Sequence, residues 1–150
     1  MKIEEHMEKE RIILPKPSKS LGSYVPVVKS GSFIYLSGVI PLKGDKVVAG
    51  KFGREFDEKS GREPAELCAL QLVANLKDAI GDLDRVKQIV KIEGFVNSTD
   101  DFSAQSKVLN YVSDLLVRIF GEKGKHSRTA IGVNSLPLNA ALEVSAVVEI

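Results

Sequence analysis

Lys125-His-Ser-Arg-Thr-Ala-Ile-Gly-Val-Asn-Ser-Leu-Pro-Leu-Asn-Ala-Ala-Leu-Glu-Val144 reads as two strands around a short turn. In the first strand Thr129, Ile131 and Val133 share one face, which leaves Arg128, Ala130 and Gly132 on the other. In the second, Leu142, Val144, Ala146, Val148 and Ile150 form an apolar row, and Glu143, Ser145, Val147 and Glu149 point the opposite way. If Ser135-Leu136-Pro137 turns the chain directly, the two strands form a β-hairpin with Arg128 and Glu143 roughly across from each other on one face. A guanidinium flanked by small residues can grip a carboxylate or phosphate as a planar fork. Beside it would stand a carboxylate suited to act as general base.

Outward from this segment, the chain alternates helix and strand signals. Val108, Val112, Leu115 and Ile119 line one side of a helix that Asp100 or Asp101 could cap and Gly121 ends. Val86 to Val96, rich in β-branched and aromatic types, predicts a long strand. Ala65, Cys68, Leu72, Leu76 and Ala79 recur at helical spacing, with Pro64 suited to a first turn and Gly81 to a stop. Asp45 to Phe56 suggests a short strand and an irregular loop. Tyr24 to Val28 and Phe33 to Leu36 predict two strands joined through Lys29-Ser-Gly-Ser32, with glycine where a positive φ is needed. The order ββ(β)αβαββ predicts an α+β fold, a mixed sheet of five or six strands with two helices on one face.

Before Tyr24 the chain is charged, then proline-rich. Met1 to Glu10 reads as a frayed or capping end and Leu14-Pro-Lys-Pro-Ser-Lys-Ser as an extended connector. The division expected is an extended lead-in over residues 1–20 and one domain over 21–150; 150 residues suffice for a single core.

Charge and cysteine content narrow the setting. Lys plus Arg number 21 against 20 for Asp plus Glu, so no general field draws nucleic acid or an anionic membrane, and any anion site must be local. The single cysteine, Cys68, excludes an internal disulfide; with no leader pattern, this predicts a cytoplasmic protein. The apolar runs are too short to span a membrane. Cys68 sits on the apolar helical stripe as a small core residue, and His6 and His126 lack partners at ligand spacing, so no metal and no cofactor is expected. Asn97-Ser-Thr99 matches a glycosylation acceptor by coincidence, and Gly121-Glu-Lys-Gly-Lys-His-Ser127 lacks the spacing and preceding strand of a phosphate loop. His126 reads as an exposed turn residue. Two helices can cover only one face of the sheet, so a symmetric homo-oligomer with clefts at subunit boundaries is expected.

Leu21-Gly-Ser-Tyr-Val25, Tyr35-Leu-Ser-Gly-Val-Ile-Pro41, Gly94-Phe-Val-Asn-Ser-Thr-Asp-Asp-Phe102 and Ser127-Arg-Thr-Ala-Ile-Gly-Val133 with Leu136-Pro137 and Leu142-Glu-Val144 resemble the YjgF/Rid family, also called the L-PSP endoribonuclease family. The resemblance covers nearly all of Gly22 to Ile150. It implies a chorismate-mutase-like α+β fold, a homotrimer with three clefts between subunits, and, in one branch, a deaminase of reactive imines and enamines. The Asp45 to Arg62 insertion, the Leu14-Pro-Lys-Pro17 lead-in and Phe120 to His126 resemble a divergent branch. Ala130 stands where the deaminase branch carries a cysteine, and Gly132 where it often carries an acid.

By this resemblance Arg128 is the carboxylate clamp, Glu143 the water-activating residue, Tyr24 a cleft-wall ring, and Ser37, Gly38 and Ala130 line the substrate. An imine needs little more than a held carboxylate and an aimed water, because its carbon is already electrophilic. Each residue also has an ordinary reading: Arg128 neutralising an acid across a boundary, Glu143 solvated, Tyr24 packed, Ser37 and Gly38 ending a strand. Three function classes follow. The first is a hydrolase of 2-imino or enamino acids giving a 2-oxoacid and ammonia. The second is an endoribonuclease or translation inhibitor, for which the basic stripe and stacking aromatics are thin. The third is a non-catalytic trimer that binds a small carboxylate. The substrate's side chain is expected to be chosen by a neighbouring subunit and the Asp45 to Arg62 loop.

Overall fold

The strand signals close into one mixed sheet in the computed structural model, which describes residues 2–19 and 22–150; Met1, Ser20 and Leu21 lie outside the described residues. The chain runs α1 (Lys2–Lys9), β1 (Val27–Ser30), β2 (Phe33–Val39), β3 (Leu42–Lys43), β4 (Lys46–Val47), α2 (Arg62–Ile80), β5 (Gln88–Asn97), α3 (Gln105–Phe120), β6 (Ser127–Val133) and β7 (Leu142–Glu149). The main sheet has the order β1-β2-β7-β5-β6, while β3 and β4 form a separate ribbon. Among the described strands only β5 and β6 pair in parallel. This α+β architecture matches the expected class, with three α-helices in place of two.

The predicted β6–β7 hairpin does not form. β6 pairs with β5 at the sheet edge, and β7 inserts on the other side of β5, between it and β2. The reason is the preceding βαβ unit: β5, α3 and β6 make a crossover that brings β6 back parallel to β5. Alternation tells which side chains share a face of one strand, and says nothing of which strand lies alongside. Residues 134–141 must then cross the end of β5, and they are tied to it there. The Asn97 backbone N–H donates to the Ala141 carbonyl (3.0 Å), and its side-chain amide donates to Ala140 O (3.0 Å) and Asn139 Oδ1 (3.1 Å). Within this crossing Leu138 (φ 57°) and Asn139 (φ 55°) are both left-handed, a conformation that costs an L-residue about 1–2 kcal/mol.

Register then fixes the faces. Arg128 lies opposite Ile92, which lies opposite Ala146, on the face that α2 and α3 cover. Glu143 lies opposite Phe95, which lies opposite Ile131, on the other face. Arg128 and Glu143 therefore occupy opposite faces, with β5 between their strands, which corrects the expectation that they face each other.

The covered face carries Ile34, Leu36, Ile92, Val96, Val144 and Val148, all buried against the helices. Gly94 permits the closest approach: a Cβ there would stand 2.3 Å from Leu109 Cδ1 of α3. α2 is buried nearly all round, with Gln71 and Asn75 as buried as Leu72 and Leu76. Its back is covered by the lead-in, since the Ser18 N–H donates to Asn75 Oδ1 (2.8 Å) and Gln71 Nε2 donates to Lys16 O (2.9 Å).

The lead-in is not extended over its whole length. Lys2–Lys9 is helical and buries Met7. So short a helix is marginal alone; here the Asp84 carboxylate accepts from the Lys2 and Ile3 N–H groups (2.8 and 2.9 Å) and Arg118 pairs with Glu10 (2.9 Å). β1 starts at Val27, so Tyr24 precedes the strand expected to contain it. Gly31 (φ 61°) turns the β1–β2 hairpin as its position predicted. Neither Asp100 nor Asp101 caps α3, which begins after Ala104; Asp101 accepts instead from Thr99 Oγ1 (2.8 Å). Val28, Tyr35 and Ile131, 51%, 49% and 44% exposed, lie on the uncovered face.

Candidate functional site

β2 bulges between Leu36 and Val39 opposite Ser145 of β7, and the side chain of Glu143, just past the Val39–Val144 pair, reaches the bulge. Gly38 lies directly under its carboxyl group: a Cβ on Gly38 would be 2.9 Å from both Cδ and Oε2 of Glu143. Only glycine admits the carboxylate at this depth. Burial raises the Glu143 carboxyl above its ordinary range, because a charge withdrawn from water is penalised. Among the described residues no hydrogen-bond donor is recorded on it. Its negative charge in turn adds to the burial that pushes the wholly buried Cys68 thiol well up, which leaves that thiol inert.

Ser37 holds the neighbouring segment in place. Its hydroxyl donates to Val25 O (2.7 Å) and its N–H to Pro26 O (2.9 Å), so Tyr24, 50% exposed, is carried alongside the bulge. Tyr24, Ser37 and Gly38 line one cavity of about 330 Å³, whose further walls are Val39, Ile40, Leu42 and Val47. Three of the predicted site residues therefore share a cavity, and a fourth, Glu143, lies against its glycine.

Arg128 is elsewhere. Its guanidinium donates through Nη1 to Asn110 Oδ1 (2.9 Å) and Ser113 Oγ (3.0 Å), and through Nη2 to Ser106 Oγ (2.8 Å) and Ser106 O (3.2 Å). These residues recur on one side of α3, so the arginine ties the edge strand to that helix. Ala130, two places on, packs against the core on the same face. Neither residue lines the cavity.

His126 completes the polar cluster and is half-buried, not an exposed turn residue. Its Nδ1 lies 2.6 Å from the Gly124 carbonyl and its Nε2 2.9 Å from Ser113 Oγ. A carbonyl oxygen can only accept, so Nδ1 carries the proton and Nε2 accepts from the Ser113 hydroxyl, which itself accepts from Arg128. Burial chiefly, with the Arg128 charge adding, lowers the His126 pKa, against the Gly124 carbonyl, which raises it. Among the described residues no group of three His, Cys, Asp or Glu side chains could hold a metal ion.

The cavity also contains residues that the sequence reading missed: Lys19, Gln71, Asn75 and Leu138. Gln71 and Asn75 were detectable as the two polar residues, one turn apart, in the otherwise apolar stretch from Leu67 to Leu76 of α2. Nothing local marked Lys19 or Leu138.

A family model described as "YjgF/chorismate_mutase-like, putative endoribonuclease" matches residues 5–150. The chain belongs to this family. Protein TCP17 of Trypanosoma cruzi is 42% identical over 148 residues, which is 97% of this chain and 92% of that protein. A 2-iminobutanoate/2-iminopropanoate deaminase of Dermatophagoides farinae is 26% identical over 148 residues, 96% and 99% of the two chains. The crystal structure of a "putative endoribonuclease" from Shewanella oneidensis superposes with a TM-score of 0.94 at 34% identity, covering 99% of each chain. The family thus includes proteins named as imine deaminases and others named as endoribonucleases. Among the described residues no helix is long and apolar enough to cross a membrane.

Proposed function

We propose that the protein hydrolyses 2-imino or enamino acids to a 2-oxoacid and ammonia, with Glu143 as the water-activating base. One observation carries this reading: a carboxylate with its pKa raised by burial lies over a glycine at the wall of a mostly apolar cavity. Withdrawal from water makes the carboxylate a better base near neutral pH. Glu143 takes a proton from water as the oxygen bonds to the imine carbon, and the C=N π pair moves to nitrogen. Glu143 returns that proton to nitrogen, giving the carbinolamine; the hydroxyl proton then passes through the same carboxylate to nitrogen as the C=O bond forms, the C–N bond breaks and ammonia leaves.

Arg128 serves this reaction as carboxylate clamp only across a boundary between copies. In one chain β5 separates β6 from β7, which puts their axes about 10 Å apart, and the two side chains face opposite ways. β6 is a sheet edge and so is open to a neighbour. The exposed Val28, Tyr35 and Ile131 on the uncovered face support burial between copies, and a homotrimer in the cytoplasm is the assembly and setting proposed. Ala130 would then border the clamp.

The test is hydrolysis of freshly generated 2-iminopropanoate and 2-iminobutanoate, read as ammonia released above the uncatalysed rate. The parent protein should accelerate it, and Glu143→Gln should lose about 10²–10⁴-fold. Full activity in Glu143→Gln would remove Glu143 as base. No acceleration, together with salt-dependent RNA cleavage, would replace the reading with a ribonuclease.

A further inference from the structure

The cavity has an apolar residue at its wall that neither burial nor backbone preference accounts for. Leu138 is 66% exposed. Its φ of 57° is the left-handed region, which glycine or asparagine would occupy at less cost. An exposed, left-handed position selects against leucine twice over, yet leucine stands there.

The mount beneath it is rigid. The next residue, Asn139, is also left-handed and is fixed at three points: its N–H donates to Leu136 O (3.0 Å), its carbonyl accepts from Gly50 N (2.9 Å), and its Oδ1 accepts from Asn97 Nδ2 (3.1 Å). Asn97 is fully buried and also donates to Gly50 O (3.2 Å), so one side chain ties together β5, the turn and the segment after β4. On the far side the Ala141 N–H donates to Val48 O (3.0 Å). The turn therefore cannot relax the strain by swinging Leu138 away. Strained backbone held by its surroundings concentrates at ligand sites.

Leu138 shares the cavity with Tyr24 and Gly38; its apolar lining includes Val39, Ile40, Leu42 and Val47, and its polar lining includes Lys19, Asp45, Gln71 and Asn75. We propose that Leu138 is the residue that selects the substrate's side chain, and that the cavity takes 2-imino acids with a branched apolar chain in preference to those with a methyl group. The inference rests on the hydrolase reading above: the reacting carbon sits at Gly38 and Glu143, and the side chain extends along the apolar wall to Leu138. Burying the substrate's chain covers the one apolar wall residue that projects most into water, which is the driving force for the preference.

The experiment compares the parent protein with Leu138→Gly and Leu138→Met on two imines, those derived from leucine and from alanine. The parent should favour the leucine-derived imine in kcat/KM. Leu138→Gly should lower that preference by about tenfold or more, within the about 10–200-fold that apolar side-chain discrimination commonly supplies. The same variant should lose more on the leucine-derived imine than on the alanine-derived one, and should melt at the same temperature or higher, since glycine relieves the left-handed strain. Leu138→Met should retain the preference. An unchanged ratio in Leu138→Gly, an equal loss on both imines, or a fall in oligomeric mass as the main effect would overturn the proposal, the last by making Leu138 a contact between copies. If the parent hydrolyses neither imine, the hydrolase reading fails by itself. Calorimetric binding of 4-methyl-2-oxopentanoate against pyruvate then decides the selector separately: a preference that Leu138→Gly abolishes sustains it, and no preference ends it.

Discussion

Arg128 and Glu143 sit on strands that follow each other in the chain, and their surroundings differ in every respect. The arginine is held by its own chain: both terminal nitrogens donate to Ser106, Asn110 and Ser113 of α3. The glutamate is withdrawn from water over Gly38, with its pKa raised for want of compensation. Within one chain the guanidinium braces β6 against α3, and the clamp role proposed for it requires these hydrogen bonds to be exchanged for a substrate carboxylate at a boundary between copies. The carboxylate is desolvated and has no such partners to exchange. The fold thus places two ions of one motif in opposite settings, one hydrogen-bonded to a helix and one desolvated over a glycine.

The largest effect short of removing the base itself should come from Gly38→Ala. A methyl group 2.9 Å from the carboxyl carbon must displace it, and misplacing a reacting group by about 1 Å costs on the order of 10²-fold in rate. Because the displaced atoms are the end of a flexible side chain, the melting temperature should hardly move. A fully active Gly38→Ala variant would break the link between the glycine and the base.

The brace is tested by Arg128→Lys, which keeps the charge and loses the planar fork. Chemical denaturation should show a loss of about 1–2 kcal/mol, and a double-mutant cycle with Ser113→Ala should give a coupling of about 1 kcal/mol. Additive effects would show that the Arg128–Ser113 hydrogen bond contributes nothing.

The smallest and sharpest test is the sign of the pH dependence. The raised Glu143 pKa means that the folded protein keeps this proton to a higher pH than the unfolded chain does. Stability from this group is therefore full at low pH and declines as pH rises through the interval between the two values. Glu143→Gln should lack that decline and be the more stable at neutral pH. His126 runs the other way: its lowered folded pKa means that the unfolded chain binds the proton first as pH falls. Its contribution is present above the unfolded value of about 6.5 and is lost as pH drops through the folded value. His126→Gln should remove that loss. Matched melting curves of the two variants against the parent measure both slopes, and slopes of the same sign would refute the assigned environments.

Much of the fold was legible because it rests on period and punctuation. α2, α3 and β5 fall where apolar spacing and the glycines Gly81 and Gly121 put them, and Gly31 turns the first hairpin with a positive φ. Pairing was harder to read. The β5–α3–β6 order itself argues for a parallel neighbour, and a Pro-containing turn looked like a hairpin only because the strands on either side alternate so cleanly. α1 was hidden for a different reason: its partners, Asp84 and Arg118, are remote in sequence, and an eight-residue stretch with five charged side chains does not announce a helix by itself.

The amino-acid order alone determined that two helices and a set of alternating strands would make an α+β domain, since hydrophobic period is a property of neighbours along the chain. It also named Tyr24, Ser37, Gly38, Arg128, Ala130 and Glu143 as candidates. Which of them meet was decided only in three dimensions. Inserting β7 between β2 and β5 set Glu143 against Gly38 and turned Arg128 to α3, because a strand's place in a sheet depends on crossover geometry and on the long-range hydrogen bonds of residues such as Asn97.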